Sequence, residues 1–495
     1  MEILILVVFV LGYLGIALEH SVHIDKSAFA LLTGTLCWAI FVIGGHDEVP
    51  AHTRADFTAI TMPAEEMAHG DEIIQIEGID KGVAKTELVK SLQSAQGKQS
   101  GVEYTTSTFY EHRLLHHLQE IASILFFLLG AMTIVELIDV HEGFRVITDR
   151  IRTTNKVKLL WLISILTFFF SAALDNLTTA IVMISLLRKL IADKPTRWFF
   201  AGMVVIAANA GGAWSPIGDV TTTMLWIGGQ LSTPVIITHL FVPSVVCAFV
   251  PLLVVSFIMK GNVERPTLSA AEQAHVHPAT PFDRKLIFTL GLLGLLFVPV
   301  FKTVTHLPPF MGMMLSLGAI WIVTELLHKR KSYDDRKALS VLYVLRKIDS
   351  SSVLFFLGIL LAVAALQEVG HLLIMANWLR DTLADVFAID LAIGLLSAIV
   401  DNVPLVAASM KMYDIIPAAM VANEWDTFFV KDGLFWQLLA YCAGTGGSAL
   451  IIGSAAGVAV MGLEKIDFIW YIKKVSLLAV LGYFAGAAVF YLMFF

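Results

Sequence analysis

Apolar stretches of about 18 residues or more recur along most of this 495-residue chain. In lipid, every backbone N–H and C=O must find its partner inside the protein, which leaves helices and closed barrels as spanning structures. Stretches this long are helix signals, since about 20 apolar residues cross the hydrocarbon layer. The chain is 57% hydrophobic and only 15% charged, against about 25% charged in soluble domains. Its mean hydropathy is +0.77. The expected fold class is therefore an all-α polytopic membrane protein, with the lipid bilayer rather than nucleic acid as partner. Residues 3–18 have no basic region before them and no small-residue cleavage site after them, so they read as a span rather than a signal peptide. Cys37, Cys247 and Cys442 lie in apolar stretches without Cys-x-x-Cys spacing and read as small core residues.

Spans are expected near 2–18, 27–45, 118–139, 197–227, 234–259, 285–301, 309–329, 350–369, 434–462 and 470–494. Two further apolar stretches, 157–190 and 389–421, carry Asp-Asn at their centres. Each arm holds only about 15 residues, too few to cross, so both read as re-entrant hairpins that turn inside the membrane. Arg145, Arg150, Arg152, Lys156, Lys158, Arg188, Lys189 and Arg197 flank the first hairpin and put its open end in the cytoplasm. Lys329, Arg330, Lys331, Arg336, Lys337, Arg346 and Lys347 mark a second cytoplasmic loop. The second hairpin then opens outside, and both termini fall outside.

The two halves repeat. Ser123-Ile124-Leu125-Phe126-Phe127-Leu128 matches Ser352-Val353-Leu354-Phe355-Phe356-Leu357. Each is followed by a short amphipathic segment (141–153 and 371–386), a hairpin, and a glycine signature. The signatures, Gly211-Gly212 with Gly218 and Gly446-Gly447 with Gly453, have identical internal spacing. Five spans plus one hairpin make an odd number of crossings, so the second copy is expected upside down: an inverted-topology repeat with two re-entrant hairpins and two broken transmembrane helices. Repeat 1 then comprises 1–45 (its first two helices) and 118–260, the latter with hairpin 157–190 and broken helix 197–227. Residues 261–284 read as a cytoplasmic linker. Repeat 2 spans 285–495, with hairpin 389–421 and broken helix 434–462. Residues 46–117 form a polar extramembrane insertion, with twelve Asp and Glu against six Lys and Arg. A short amphipathic helix is expected over 81–94.

Ser171-Ala172-Ala173-Leu174-Asp175-Asn176 and Ser397-Ala398-Ile399-Val400-Asp401-Asn402 are alike. A carboxylate at bilayer depth costs about 2.5–3.5 kcal/mol on insertion scales, so two at matching positions point to binding of something charged. Asp175 and Asp401 can each take a cation or a proton in turn, which suffices for exchange. Both can equally cap a half-helix, and the two roles are compatible. Asn176, Thr178, Thr179 and Asn402 add neutral oxygens; Pro404 stands where Thr178 would recur, so the second site leans on backbone, Ser409 or Ser448. Asn209, Asp219, Thr221 and Thr222 add oxygens in the first broken helix, and Ser454 aligns with Asp219. The glycine-rich segments 209–219 and 444–454, with Gly211, Gly212, Gly446 and Gly447, either free carbonyls for a cation or allow close helix packing. Glu136 and Glu325 read as snorkelling carboxylates near cytoplasmic ends, and His112, His116 and His117 as an interfacial cluster.

These residues resemble the NhaD-type Na+/H+ antiporters of the ion transporter superfamily. The likeness rests on the stretch Leu125-Phe126-Phe127-Leu128-Leu129-Gly130-Ala131-Met132-Thr133-Ile134-Val135-Glu136, on Leu174-Asp175-Asn176-Leu177-Thr178-Thr179, on the run from Asn209 to Asp219, and on Asp401-Asn402-Val403-Pro404. It covers 118 to the C-terminus. It implies a homodimer with a scaffold part and a mobile transport part, and export of Na+ or Li+ against H+ by an elevator-like movement, with no organic cofactor. The bound Na+ would fall to Asp175, Asn176, Asp401 and Asn402. A bacterial inner membrane is the simplest location. Two alternatives keep the fold, a sodium-coupled dicarboxylate carrier or an arsenite permease, but carboxylates at both tips repel anions. An intramembrane aspartyl protease is a third class; Gly218-Asp219 supplies only half of a Gly-x-Gly-Asp pattern, so enzymatic activity is not expected.

Overall fold

The computed structural model describes residues 2–17, 24–44, 73–74, 83–84, 106–266, 278–399 and 401–495. It is all-helical apart from one antiparallel pair, Ile73–Ile74 with Val83–Ala84. Eight helices among the described residues are long and apolar enough to cross a membrane. The amphipathic helix expected over 81–94 falls largely outside the described residues, and Val83–Ala84 within it are strand, not helix.

Two compact units are distinguished. The first is Met1–Ile121 with Leu354–Met375. Here α1 (Glu2–Ala17) packs on α2 (Lys26–Gly44). The beginning of α3 (Thr106–Val140) also belongs to it. The Trp38 indole donates to the Leu361 carbonyl at 2.9 Å. Glu368, 1% exposed, accepts from Arg113 Nη2 at 2.8 Å and lies 2.7 Å from His117 Nε2. The expected interfacial histidine cluster is thus corrected at His117. That side chain is buried in an ion-pair network, because a carboxylate at this depth requires partners. The side chain of His112 lies outside the described residues.

The second unit, Ala122–Val353 with Ala376–Phe495, holds every residue of the candidate site. After α4 (Arg145–Thr148) come α5 (Lys156–Leu174) and α6 (Asn176–Leu190), separated by Asp175 alone. Then follow α7 (Lys194–Ala213), α8 (Val220–Ile227) and α9 (Thr233–Ile258). Next come α10 (Pro281–Thr305), α11 (Pro309–His328) and the short α12 (Tyr333–Ala338) and α13 (Val341–Val344). The chain passes through α14 (Ser350–Glu368) and α15 (His371–Leu383) to α16 (Val386–Leu396) and α17 (Asn402–Met412). It ends with α18 (Glu424–Thr427), α19 (Leu434–Gly446), α20 (Ala455–Glu464) and α21 (Phe468–Phe494).

The packing partners recur in both halves. α5 lies on α7 as α16 lies on α19, and α6 lies on α20 as α17 lies on α8. The stretch at 389–421 is shorter as helix than expected: it begins at the Asp385 cap and ends at Met412. The amphipathic stretch at 141–153 reduces to the four residues of α4. Residues 261–265, read as linker, dock beside the start of α5 and the end of α6: Val263 N–H donates to the Thr154 carbonyl at 2.8 Å and Ala192 N–H to the Glu264 carbonyl at 2.9 Å. At the ends of α3 and α11, His141 and His328 stack with Nε2 atoms 2.8 Å apart. Glu136 faces Lys347 at 3.9 Å, and Glu325 pairs with Arg336 at 2.9 Å.

Candidate functional site

The chain is interrupted at four points in this unit, and each interruption is capped by a side chain that the sequence singles out. Asp175 stops α5 and starts α6 with φ 95°, a left-handed conformation that few non-glycine residues adopt. Strain of this kind costs about 1–3 kcal/mol and survives only where the surroundings impose it. Its Oδ1 accepts from Thr178 N–H at 2.7 Å and its Oδ2 from the Thr178 hydroxyl at 2.9 Å. Asp219 caps α8, accepting from Thr221 N–H at 3.0 Å. Asp401 caps α17 through Val403 N–H at 3.3 Å, and Ser454 caps α20 through Gly457 N–H at 3.2 Å. Four helix N-termini, each a partial positive charge, are thereby turned toward the same interior.

Two asparagines tie three of them together. Asn176 Nδ2 donates to Asp219 Oδ2 at 2.9 Å and to Asn209 Oδ1 at 3.1 Å. Asn209 Nδ2 in turn donates to Ser448 Oγ and Ser454 Oγ, both at 2.9 Å. The chain of bonds runs from the start of α6, through the break between α7 and α8, to the break between α19 and α20. Asn176, Asn209 and Asp219 are buried, as are Ser448 and Ser454. Asp219 also lies within electrostatic reach of both Asp175 and Asp401, so three carboxylates converge. The hydroxyl of Thr179 is buried there without a hydrogen-bond partner. Buried oxygens left unpaired in this way cost free energy that a cation would recover. Asn402 is buried beside Asp401, and Ser409 donates to its own helix at Leu405.

The glycines bring backbones together. Gly211 and Gly212 lie in the last turn of α7, and the break itself is 214–219. A Cβ on Gly211 would strike the Phe168 carbonyl, and one on Gly446 the Gly394 carbonyl. Gly212 abuts Gly218 as Gly447 abuts Gly453. Two serines complete the match: Ser171 Oγ donates to the Ala208 carbonyl at 2.5 Å, and Ser397 Oγ to the Ala443 carbonyl at 3.0 Å. Both serines lie inside the repeated string, where no local pattern gives them a role. The broken helices run antiparallel. Arg197, near the start of α7, pairs with Glu464 at the end of α20 at 2.8 Å. At the opposite end Asp432, just before α19, accepts from Ser232 N–H, just past α8, at 2.6 Å.

Residues 6–429 match the family described as citrate transporters (CitMHS). A protein named sodium/proton antiporter 2 from Arabidopsis thaliana is 48% identical over 81% of this chain and 90% of its own length. Sodium/proton antiporter 1 from the same plant is 43% identical over 98% of this chain and 72% of its own. The Na(+)/H(+) antiporter NhaD of Vibrio parahaemolyticus is 32% identical over 75% of this chain and 90% of its own. The chain belongs to the NhaD family of antiporters. As in any member of such a family, the residues worth weighing are those at membrane depth, and one of these escapes the sequence reading. Asp390 in α16 is fully buried, and neither carboxyl oxygen has a hydrogen-bond partner. It is legible by the same rule that picks out Asp175, since it is an acidic residue inside the apolar run Phe387-Ala388-Ile389-Asp390-Leu391-Ala392-Ile393.

Proposed function

We propose that the protein is a secondary antiporter that exchanges cytoplasmic Na+ or Li+ for external H+ at the junction of the four interruptions. The observation that carries this is the Asn176–Asn209–Ser448/Ser454 chain, which joins the first hairpin to both broken helices beside Asp175, Asp219 and Asp401. Oxygens are the ligands that a hard cation requires, and carboxylates are the ones among them that protons compete for. In this reading Asp175 and Asp401 are the shared carboxylates, with Asn176, Asn402, Thr178 and Thr179 around them and Asp219 as a third titrating group. Gly211, Gly212, Gly446 and Gly447 hold the helices close enough for the oxygens to meet.

The same reading includes an inverted repeat. The exchanged packing partners, the paired serine bridges and the antiparallel broken helices support it. It also includes two re-entrant hairpins. Arms of 15, 11 and 11 residues, in α6, α16 and α17, support that assignment, while α5 at 19 residues is long enough to cross. A homodimer with a mobile transport part belongs to this reading too. The named relatives come from plants and bacteria, and the mechanism requires only a membrane that sustains a proton gradient, of which the bacterial cell membrane is the simplest case.

The family's description as citrate transporters favours one second reading, anion carriage. Three convergent carboxylates disfavour a trianion by direct repulsion, and no Lys or Arg is bonded into the chain of amides and hydroxyls described. Proteoliposomes decide between the two. Wild type should show Na+-dependent proton movement and no uptake of labelled citrate. Asp175→Asn and Asp401→Asn should each abolish the proton movement while still inserting. Wild-type flux in either variant removes that residue from the site, and citrate uptake without Na+-dependent proton flux overturns the exchange reading.

A further inference from the structure

Asp390 stands apart from the site just described. It lies 0% exposed in α16, between the Asp385 cap and the interruption at Asp401, and both carboxyl oxygens lack a partner. The groups around it come from three other elements. They are Tyr413 just past α17, Cys442 in α19 and Tyr483 in α21, each close enough to interact electrostatically with it. The one charged group acting on it is Asp385 at the start of its own helix, which is also acidic. The two tyrosine hydroxyls already donate elsewhere: Tyr483 to the Leu391 carbonyl at 3.0 Å, and Tyr413 to the Ala376 carbonyl at 3.4 Å. Neither is left as a donor to a carboxylate, and a thiol is a weak one. Among the described residues, the surroundings thus offer acceptors and no cation paired with the carboxyl. An ionised carboxylate without partners is costly in such a place.

Packing alone does not ask for an acid at this place. The serine bridges align Ser397 with Ser171, and seven residues before each stand Asp390 and Ser164. Ser164 is likewise buried with an unpartnered hydroxyl. The fold accepts a small neutral group at this position in one half and carries a carboxyl in the other.

We propose that Asp390 is a proton-binding site of the transport cycle, separate from the carboxylates that meet the cation. It holds its proton in the conformation described, and releases it when the cycle opens the α16–α19–α21 contact to water. The acid then becomes carboxylate plus a hydrated proton, and the next proton restores it. This rests on the exchange reading and adds to it a proton that never competes directly with Na+.

The test is the proton count per Na+, taken from the Na+ gradient that just halts flux against an imposed pH gradient. Asp390→Asn and Asp390→Ser, the second copying the residue at 164, should both retain Na+-dependent exchange. Each should lose one proton per Na+ relative to wild type. A wild-type proton count in both variants overturns the proposal. Should neither variant reconstitute, infrared difference spectra of detergent-solubilised wild type and Asp390→Asn on the same pH jump decide instead. A protonated-carboxyl carbonyl band present in wild type and lost in the variant supports the assignment, and identical spectra overturn it. A wild-type protein without any Na+-dependent proton movement counts against the exchange reading itself.

Discussion

Asn209 makes three hydrogen bonds while fully buried. Its Oδ1 accepts from Asn176 and its Nδ2 serves two serine hydroxyls. An unsatisfied buried polar group costs about 1–3 kcal/mol. Asn209→Ala removes one partner from each of Asn176, Ser448 and Ser454, so the variant should melt lower than wild type in detergent. It should also need at least tenfold more Na+ for half-maximal exchange, tenfold being about 1.4 kcal/mol of binding. A titration of Na+-dependent fluorescence dequenching checks this, and an unchanged midpoint would show that the amide only packs. At this scale the sequence is readable where chemistry repeats. Asp175, Asn176 and Asp401 announce themselves as paired motifs in apolar runs, and Asn209 and Asp219 as polar residues beside a glycine signature. The link between Asn209 and Ser454 is 245 residues long in sequence, and no local pattern encodes which hydroxyl an amide will meet. Asp390 is missed for a different reason: it has no counterpart acid in the other half, so a search for repeats passes over it.

Elements are the most legible level, because backbone satisfaction in lipid enforces long apolar helices. Most expected spans recur within a few residues, whereas α3 begins at Thr106, the stretch at 389–421 ends as helix at Met412, α5 runs to 19 residues and the stretch at 141–153 yields one turn. Helix ends depend on caps and tertiary ion pairs that hydropathy does not register. Glu464 shows this. It closes α20 and is 4% exposed, with Arg188 Nε at 2.7 Å and Arg197 Nε at 2.8 Å. The Arg188 side chain is 48% exposed, so most of the compensation falls to Arg197, which is 17% exposed. Arg197→Leu leaves a buried carboxylate with a solvated partner, and breaking such a pair costs about 3–5 kcal/mol. The expected result is a marked fall in melting temperature, largely restored in Arg197→Leu with Glu464→Leu, because a matched apolar pair needs no ionic partner. Equal losses in the single and double variants would mean that the helices are held by shape and not by charge.

For the whole molecule, the decisive quantity is the net charge moved per cycle. A cation and a proton alternating on one carboxylate exchange one for one, and no voltage then acts on the balance. A second proton, held where Na+ does not reach, makes each turnover carry one positive charge inward. A membrane potential of 100 mV, negative inside, then contributes about 2.3 kcal/mol to each Na+ expelled. At about 1.4 kcal/mol per factor of ten, the Na+ gradient sustained at fixed pH gradient should grow about 50-fold. The measurement is the flux-null Na+ ratio in proteoliposomes with and without a potassium-diffusion potential. In Asp390→Asn the same potential should move that ratio by one charge less per Na+ than in wild type. A voltage response of equal size in wild type and variant would assign the extra proton to the convergent carboxylates themselves, where Asp219 already lies between the other two.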